Sequence, residues 1–103
     1  MRRQAISKGH YSARYSAAEA WARDVLAKMT LAEKIGQLNQ VSEDSASAAL
    51  VEAVADGRVG SVLNVVEPSE IEALQAAAGE SRLGIPLLVG RDVVHGFEVM
   101  API

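Results

Sequence analysis

No cysteine occurs in the 103 residues. That absence excludes a disulfide framework, a thiolate nucleophile and a zinc finger. Histidine is almost as scarce: His10 and His95 are the only two, and 85 positions part them, a poor start for any metal site. Aromatic residues make up only 4% of the chain while hydrophobic residues reach 50%, with 18 alanines among them, so a core must be light and built on Val, Leu and Ile. The net charge of -3 gives no basic footprint for nucleic acid as the main partner. No stretch approaches the ~20 apolar residues of a membrane span, which argues against a membrane partner. Positions 1 to 15 contain Arg2, Arg3, Lys8 and Arg14 without an acid, and no apolar run follows them. The segment therefore lacks the h-region of a secretory signal and reads as a basic flexible tail, with the folded part at 16–103.

From Ser16 a capping box with Glu19 opens a helix along Trp21, Val25, Leu26 and Met29. Thr30 and Glu33 repeat the box before a short second helix striped by Leu31, Ile35 and Leu38 and ending near residues 37–39. Ser45 or Ser47 starts a third, with Ala49, Leu50, Ala53 and Val54 inward and Gly57 as its C-terminal cap. Val59 to Val66 is an almost continuous apolar run suited to a strand covered on both faces, the first strand expected. Pro68 and Ser69 begin a fourth helix through Ile71, Leu74 and Ala78, closed by Gly84 before a second buried run, 85–89. Strand, helix, strand over this span is a βαβ unit with parallel strands, and the fold class is α/β.

In parallel α/β folds ligands gather at the carboxyl ends of strands. The residues to examine are therefore Asn64 after the first run and Arg91, Asp92 and His95 after the second. An ionised Asp accepts hydrogen bonds only, and can take two neighbouring hydroxyls of a sugar at once. Asp92 suits that role; an Asp capping a turn or paired with Arg91 is the structural alternative. Arg91, His95 and Gly96 read as loop-shaping residues. Asp92 and Glu98, six positions apart, reach the ~5 Å of a retaining carboxylate pair only if the backbone doubles back. Glu43 and Asp44 read as a solvated acidic loop. Phosphate cradles, nucleophile elbows and zincin helices have no matching pattern.

The blocks "AWARDVLAKMTLAEKIGQLNQVS", "VADGRVGSVLNV" and "SRLGIPLLVGRDVVHGFEVMAPI" resemble, in this order, the beginning of glycoside hydrolase family 3 enzymes, the β-glucosidase and β-xylosidase group. The resemblance covers about residues 20 to 103. It implies the N-terminal portion of a (β/α)8 TIM-type barrel, its helices followed by a βαβ unit at 59–90. It also implies a retaining exo-acting hydrolase that releases terminal β-linked sugars through a covalent glycosyl-enzyme. Asp92 matches the aspartate that precedes the family's HG dipeptide and would bind substrate hydroxyls in the innermost subsite.

In that family the aspartate nucleophile comes much later in the barrel and the acid/base residue in a following domain. The chain is thus expected to be an N-terminal fragment with no catalytic residue of its own, inactive alone, whose partners are a β-linked glycoside in the full-length context and the remainder of the barrel. No cofactor or metal is implied, because displacement at the anomeric carbon needs two carboxyl groups and a shaped pocket. The alternative is a small noncatalytic α/β binding protein that self-associates through sheet edges and apolar helix faces. Localisation stays open: cytoplasmic as written, periplasmic or secreted if the N-terminus is incomplete.

Overall fold

The structure, a computed structural model, describes residues 2–93, with side chains from residue 12 onward. Two compact units divide the chain, Met1–Thr30 and Leu31–Ile103.

The first unit is a helix, α1 (Arg2–Lys28). It begins at Arg2 rather than at Ser16, so the segment expected as an irregular tail is helical. The physical reason is the lack of any proline before residue 68: Arg, Lys, Gln and Ala all favour helix, and Gly9 alone costs about 1 kcal/mol against alanine. Two i,i+4 ion pairs line the helix, Arg23 to Glu19 at 2.8 Å and Lys28 to Asp24 at 3.2 Å. In each the acid precedes the base, the favourable order.

The second unit runs α2 (Leu31–Leu38), β1 (Gln40–Ser42), α3 (Ala48–Ala55), β2 (Ser61–Leu63), α4 (Pro68–Glu80) and β3 (Leu88–Gly90). The strands form one parallel sheet in the order β1-β2-β3, with Val41, Val62 and Val89 in register. The chain is therefore α/β, as read from the sequence, but strand–helix–strand occurs twice, because β1 precedes the run taken for the first strand.

Ser47 caps α3, its Oγ accepting from the Leu50 N–H at 3.2 Å. At the other end Gly57, at φ +73°, lets its N–H reach the Val54 carbonyl at 3.0 Å and the Arg58 N–H reach Ala53 at 2.9 Å. This crossed pair is the Schellman closure that a glycine in the left-handed region permits. Pro68 starts α4, where its missing N–H costs nothing. Gln75 of α4 then sets the approach to β3: its Nε2 donates to the Leu87 carbonyl and its Oε1 accepts the Leu87 N–H, both at 2.9 Å.

The core joins Leu50 and Val54 of α3, Leu74, Ala77 and Ala78 of α4, and Val59, Val62, Val65 and Leu87 from and beside the strands. Val62 is fully buried, whereas Leu88, on the opposite face of the sheet, is 76% exposed. The expectation of strands covered on both faces thus holds for one face, the one under α3 and α4. Ala49, expected inward, is exposed, since α3 turns Leu50 and Val54 to the core.

The second helix also differs from expectation. Leu31, Ile35 and Leu38 are exposed, and Gly36 is the buried position of α2. Backbone approach decides this: a Cβ on Gly36 would lie 2.1 Å from the Gly57 carbonyl oxygen, and one on Gly60 would lie 2.2 Å from that of Gln37. Two glycines let α2 lie directly on the turn that leads into β2. Arg82, beyond α4, is hydrogen-bonded to Glu33 of α2 through Nε at 3.0 Å and through a second, shorter contact. Those hydrogen bonds, opposed by slight desolvation and aided by the Glu33 charge, raise the guanidinium above its ordinary value.

Candidate functional site

The three strands end side by side, and the residues just past them come from distant parts of the chain. β1 ends at Ser42, β2 is followed by Asn64, and β3 leads into Arg91 and Asp92. Parallel pairing in register, Ser42 with Leu63 and Leu63 with Gly90, brings these ends level.

Asn64 is the hub. It is the non-glycine residue with a positive φ, 79°, among the described residues, in a region that asparagine tolerates better than most side chains. Its backbone N–H donates to the Gly90 carbonyl at 2.8 Å, and its carbonyl accepts from Arg91 Nη1 at 3.4 Å. Its side-chain Nδ2 donates to Ser42 Oγ at 3.0 Å, while Oδ1 accepts the backbone N–H of Asp92 at 3.1 Å. All three strand ends are thereby tied through one amide.

Asp92 is exposed. Its N–H is held by Asn64, and Arg91 directs Nη1 to the Asn64 carbonyl, so the pairing of Asp92 with Arg91 left open above is not among the ion pairs of the described residues. A carboxylate fixed through its own backbone and facing solvent can accept two hydroxyl protons from a polyol. His95 and Gly96, and with them Glu98, lie outside the described residues.

Beside the strand ends an open apolar cleft of about 390 Å³ is lined by Val65, Val66, Ile71, Val89, Gly90, Arg91 and Val93. Glu43 is less free than a solvated loop suggests: its N–H donates to the Leu63 carbonyl at 3.2 Å and its Oε2 accepts the Ser47 hydroxyl at 3.1 Å. Among the described residues no cluster of three His, Asp or Glu side chains is placed to hold a metal ion, and no helix is long and apolar enough to cross a membrane.

Ser42 and the amide of Asn64 are the site residues that sequence reasoning missed. Asn64 stood at the right end of a strand, but a bond spanning 28 positions leaves no mark in local spacing.

Residues 30–101 match the model of the glycosyl hydrolase family 3 N-terminal domain. The chain is 40% identical over 98 residues to a periplasmic beta-glucosidase of Salmonella typhimurium, a match that takes in 92% of this chain and 13% of that protein. The chain thus spans about an eighth of the length of that relative.

Proposed function

The chain belongs to the glycosyl hydrolase family 3 N-terminal domain family, and from that premise we propose that its residues form the sugar-holding wall of a β-glucosidase-like retaining hydrolase. The observation that carries the reading is the cluster at the carboxyl ends of the parallel strands, where Asn64 holds the backbone of an exposed Asp92. In this reading the sheet is the opening of a (β/α)8 barrel, and the open face that carries Leu88 looks toward its interior.

Asp92 accepts hydroxyl protons of the terminal sugar and so fixes the ring against the axis of attack. The chemistry of the family needs a carboxylate nucleophile at the anomeric carbon and an acid that protonates the leaving oxygen. Neither role falls to these 103 residues, which bind and orient but do not cleave. The similarity to a periplasmic beta-glucosidase supports an exported whole protein and a β-glucoside as substrate.

The test is kinetic. In the gene product that carries these residues, Asp92→Ala lowers kcat/KM for an aryl β-glucoside by about 10³-fold, from two charge-assisted hydrogen bonds of about 2 kcal/mol each. Asp92→Asn, which keeps the shape and one acceptor, falls between. Wild-type kinetics in Asp92→Ala would remove Asp92 from the subsite. The purified 103-residue chain shows no turnover, and sustained turnover by it would place a catalytic pair within these residues.

A second reading, a noncatalytic self-associating protein, draws on the exposed Leu31, Ile35 and Leu38 of α2 and on Leu88. Light scattering separates the two: a defined oligomer with a cooperative melt favours self-association.

A further inference from the structure

Asn64 spends every hydrogen-bonding group it has among the described residues on a neighbouring strand end: N–H to Gly90, C=O from Arg91, Nδ2 to Ser42, Oδ1 from the N–H of Asp92. The orientation of its amide is dictated by chemistry. The Asp92 N–H can only donate, so it requires Oδ1, whereas the Ser42 hydroxyl can accept and so takes Nδ2. The Asp92 N–H therefore sets which way the amide points, Ser42 anchors its other end to β1, and the anchored amide keeps the backbone of Asp92 in place. The left-handed φ of 79° belongs to the same device, since it is the conformation in which backbone and side chain of Asn64 engage β1 and β3 together.

We propose that Asn64 is the positioning residue for Asp92, and through it a determinant of sugar affinity, with Ser42 anchoring the far end of the amide. The proposal rests on the reading of Asp92 as the hydroxyl acceptor. Two adjacent hydroxyls can be accepted at once only if both carboxylate oxygens sit in one fixed direction, and an exposed loop residue has that direction only through its backbone. Releasing the Asp92 N–H lets the loop sample other orientations, and the ordering cost then falls on each binding event. Because the hydroxyl contacts exist in ground and transition state alike, the loss falls on KM more than on kcat.

The test uses the gene product that carries these residues and an aryl β-glucoside. Asn64→Gly keeps the left-handed backbone and removes the amide, so it separates the hydrogen bonds from conformational strain. It raises KM about tenfold with kcat within about twofold, the worth of one positioned hydrogen bond. Ser42→Ala, which frees the amide without removing it, raises KM about threefold. The decisive arm is the double variant: if Asn64 acts through Asp92, Asn64→Gly adds nothing to Asp92→Ala.

In Asn64→Gly alone the Asp92 amide proton, without its acceptor, exchanges with solvent at least about fivefold faster. Equal losses from Asn64→Gly in the wild-type and Asp92→Ala backgrounds would overturn the proposal, as would an unchanged Asp92 exchange rate. If Asn64→Gly does not fold, Ser42→Ala in both backgrounds decides by the same rule. Wild-type kinetics in Asp92→Ala would instead sink the hydroxyl-acceptor reading, so the two failures are told apart.

Discussion

Replacing Gly36 by alanine tests the packing that sets α2 on the turn leading into β2. In an open helix the change stabilises, by up to about 1 kcal/mol, because glycine gives up more backbone freedom on folding. Here the added methyl carbon would lie 2.1 Å from the Gly57 carbonyl oxygen and 3.0 Å from the Arg58 Cα. An ordinary carbon–oxygen approach is about 3.3 Å, so α2 or the turn at 57–60 must move by roughly 1 Å. Both partners are backbone, so no side-chain rotation relieves the contact. Overpacking of this kind costs about 3 kcal/mol or more, which leaves a net loss of about 2 kcal/mol after the helix gain. In a chain of this size that lowers Tm by roughly 10 °C.

The control is Gly79→Ala in α4, where nothing lies within 4 Å of the new carbon; it stabilises by about 0.5 kcal/mol. Gly60→Ala meets the Gln37 carbonyl at 2.2 Å and behaves like Gly36→Ala. The two changes open the same gap, so the double variant costs less than the sum by at least about 0.5 kcal/mol. Urea unfolding followed by circular dichroism gives all four values. A Gly36→Ala variant as stable as Gly79→Ala would refute the argument.

Leu74 is fully buried between α4 and the sheet, and Leu74→Ala costs about 3 kcal/mol, read as a lower urea midpoint with an unchanged slope. Breaking the pair of Arg82 and Glu33 by Arg82→Gln lowers Tm slightly at low salt and less so at about 0.5 M salt, because Arg82 is open to solvent ions while the Glu33 side chain is only 17% exposed. With the Arg82 pKa raised in the folded chain, its contribution is complete below the unfolded value and is lost only as pH climbs through the folded one. That window lies far above neutrality, so a titration of Tm between about pH 6 and 9 shows no step that Arg82→Gln removes. Ile35→Glu with Leu38→Lys leaves the monomer's melt within about 0.5 kcal/mol, since both side chains are exposed, and abolishes any scattering that grows with concentration.

What was legible in the sequence was what local pattern encodes. Leu50 and Val54 at i and i+4, Gly57 behind them, Pro68 ahead of Leu74 and the β-branched run around Val62 name α3, its cap, α4 and β2 without a structure. The position of Asp92 followed from topology, because a parallel strand delivers chemistry at its carboxyl end. β1 escaped because Gln40, Val41 and Ser42 offer one apolar residue between two polar ones, a pattern shared with any loop. The stripe of Leu31, Ile35 and Leu38 misled for a related reason: apolar spacing reports an amphipathic helix, whereas α2 meets the turn before β2 by backbone at Gly36 and Gly60. Asn64 was visible as a residue and invisible as a hub, since its partners lie 22 and 28 positions away and its φ leaves no trace in composition.

Leu88 joins the fold to the function. It stands on the face of the sheet opposite α3 and α4, beside Ser61, and two residues before Gly90, where an added Cβ would lie 3.3 Å from Leu63 Cδ1. Parallel sheets are stable with both faces covered, and in the proposed barrel the open face would be covered by side chains from further strands. The cost of Leu88→Ser therefore depends on context. In the 103-residue chain only about a quarter of Leu88 is shielded, so the loss is about 0.5 kcal/mol of a full side-chain burial worth about 2 kcal/mol. Closed inside a barrel, the same change removes the whole burial and leaves a cavity, about 3 kcal/mol. Measured in the 103-residue chain and in the full gene product, the ratio reports whether this face is interior. A sixfold difference places Leu88 in a barrel whose mouth carries Asp92; equal small losses would mean that the face stays open and would turn the argument toward a sheet that works by itself.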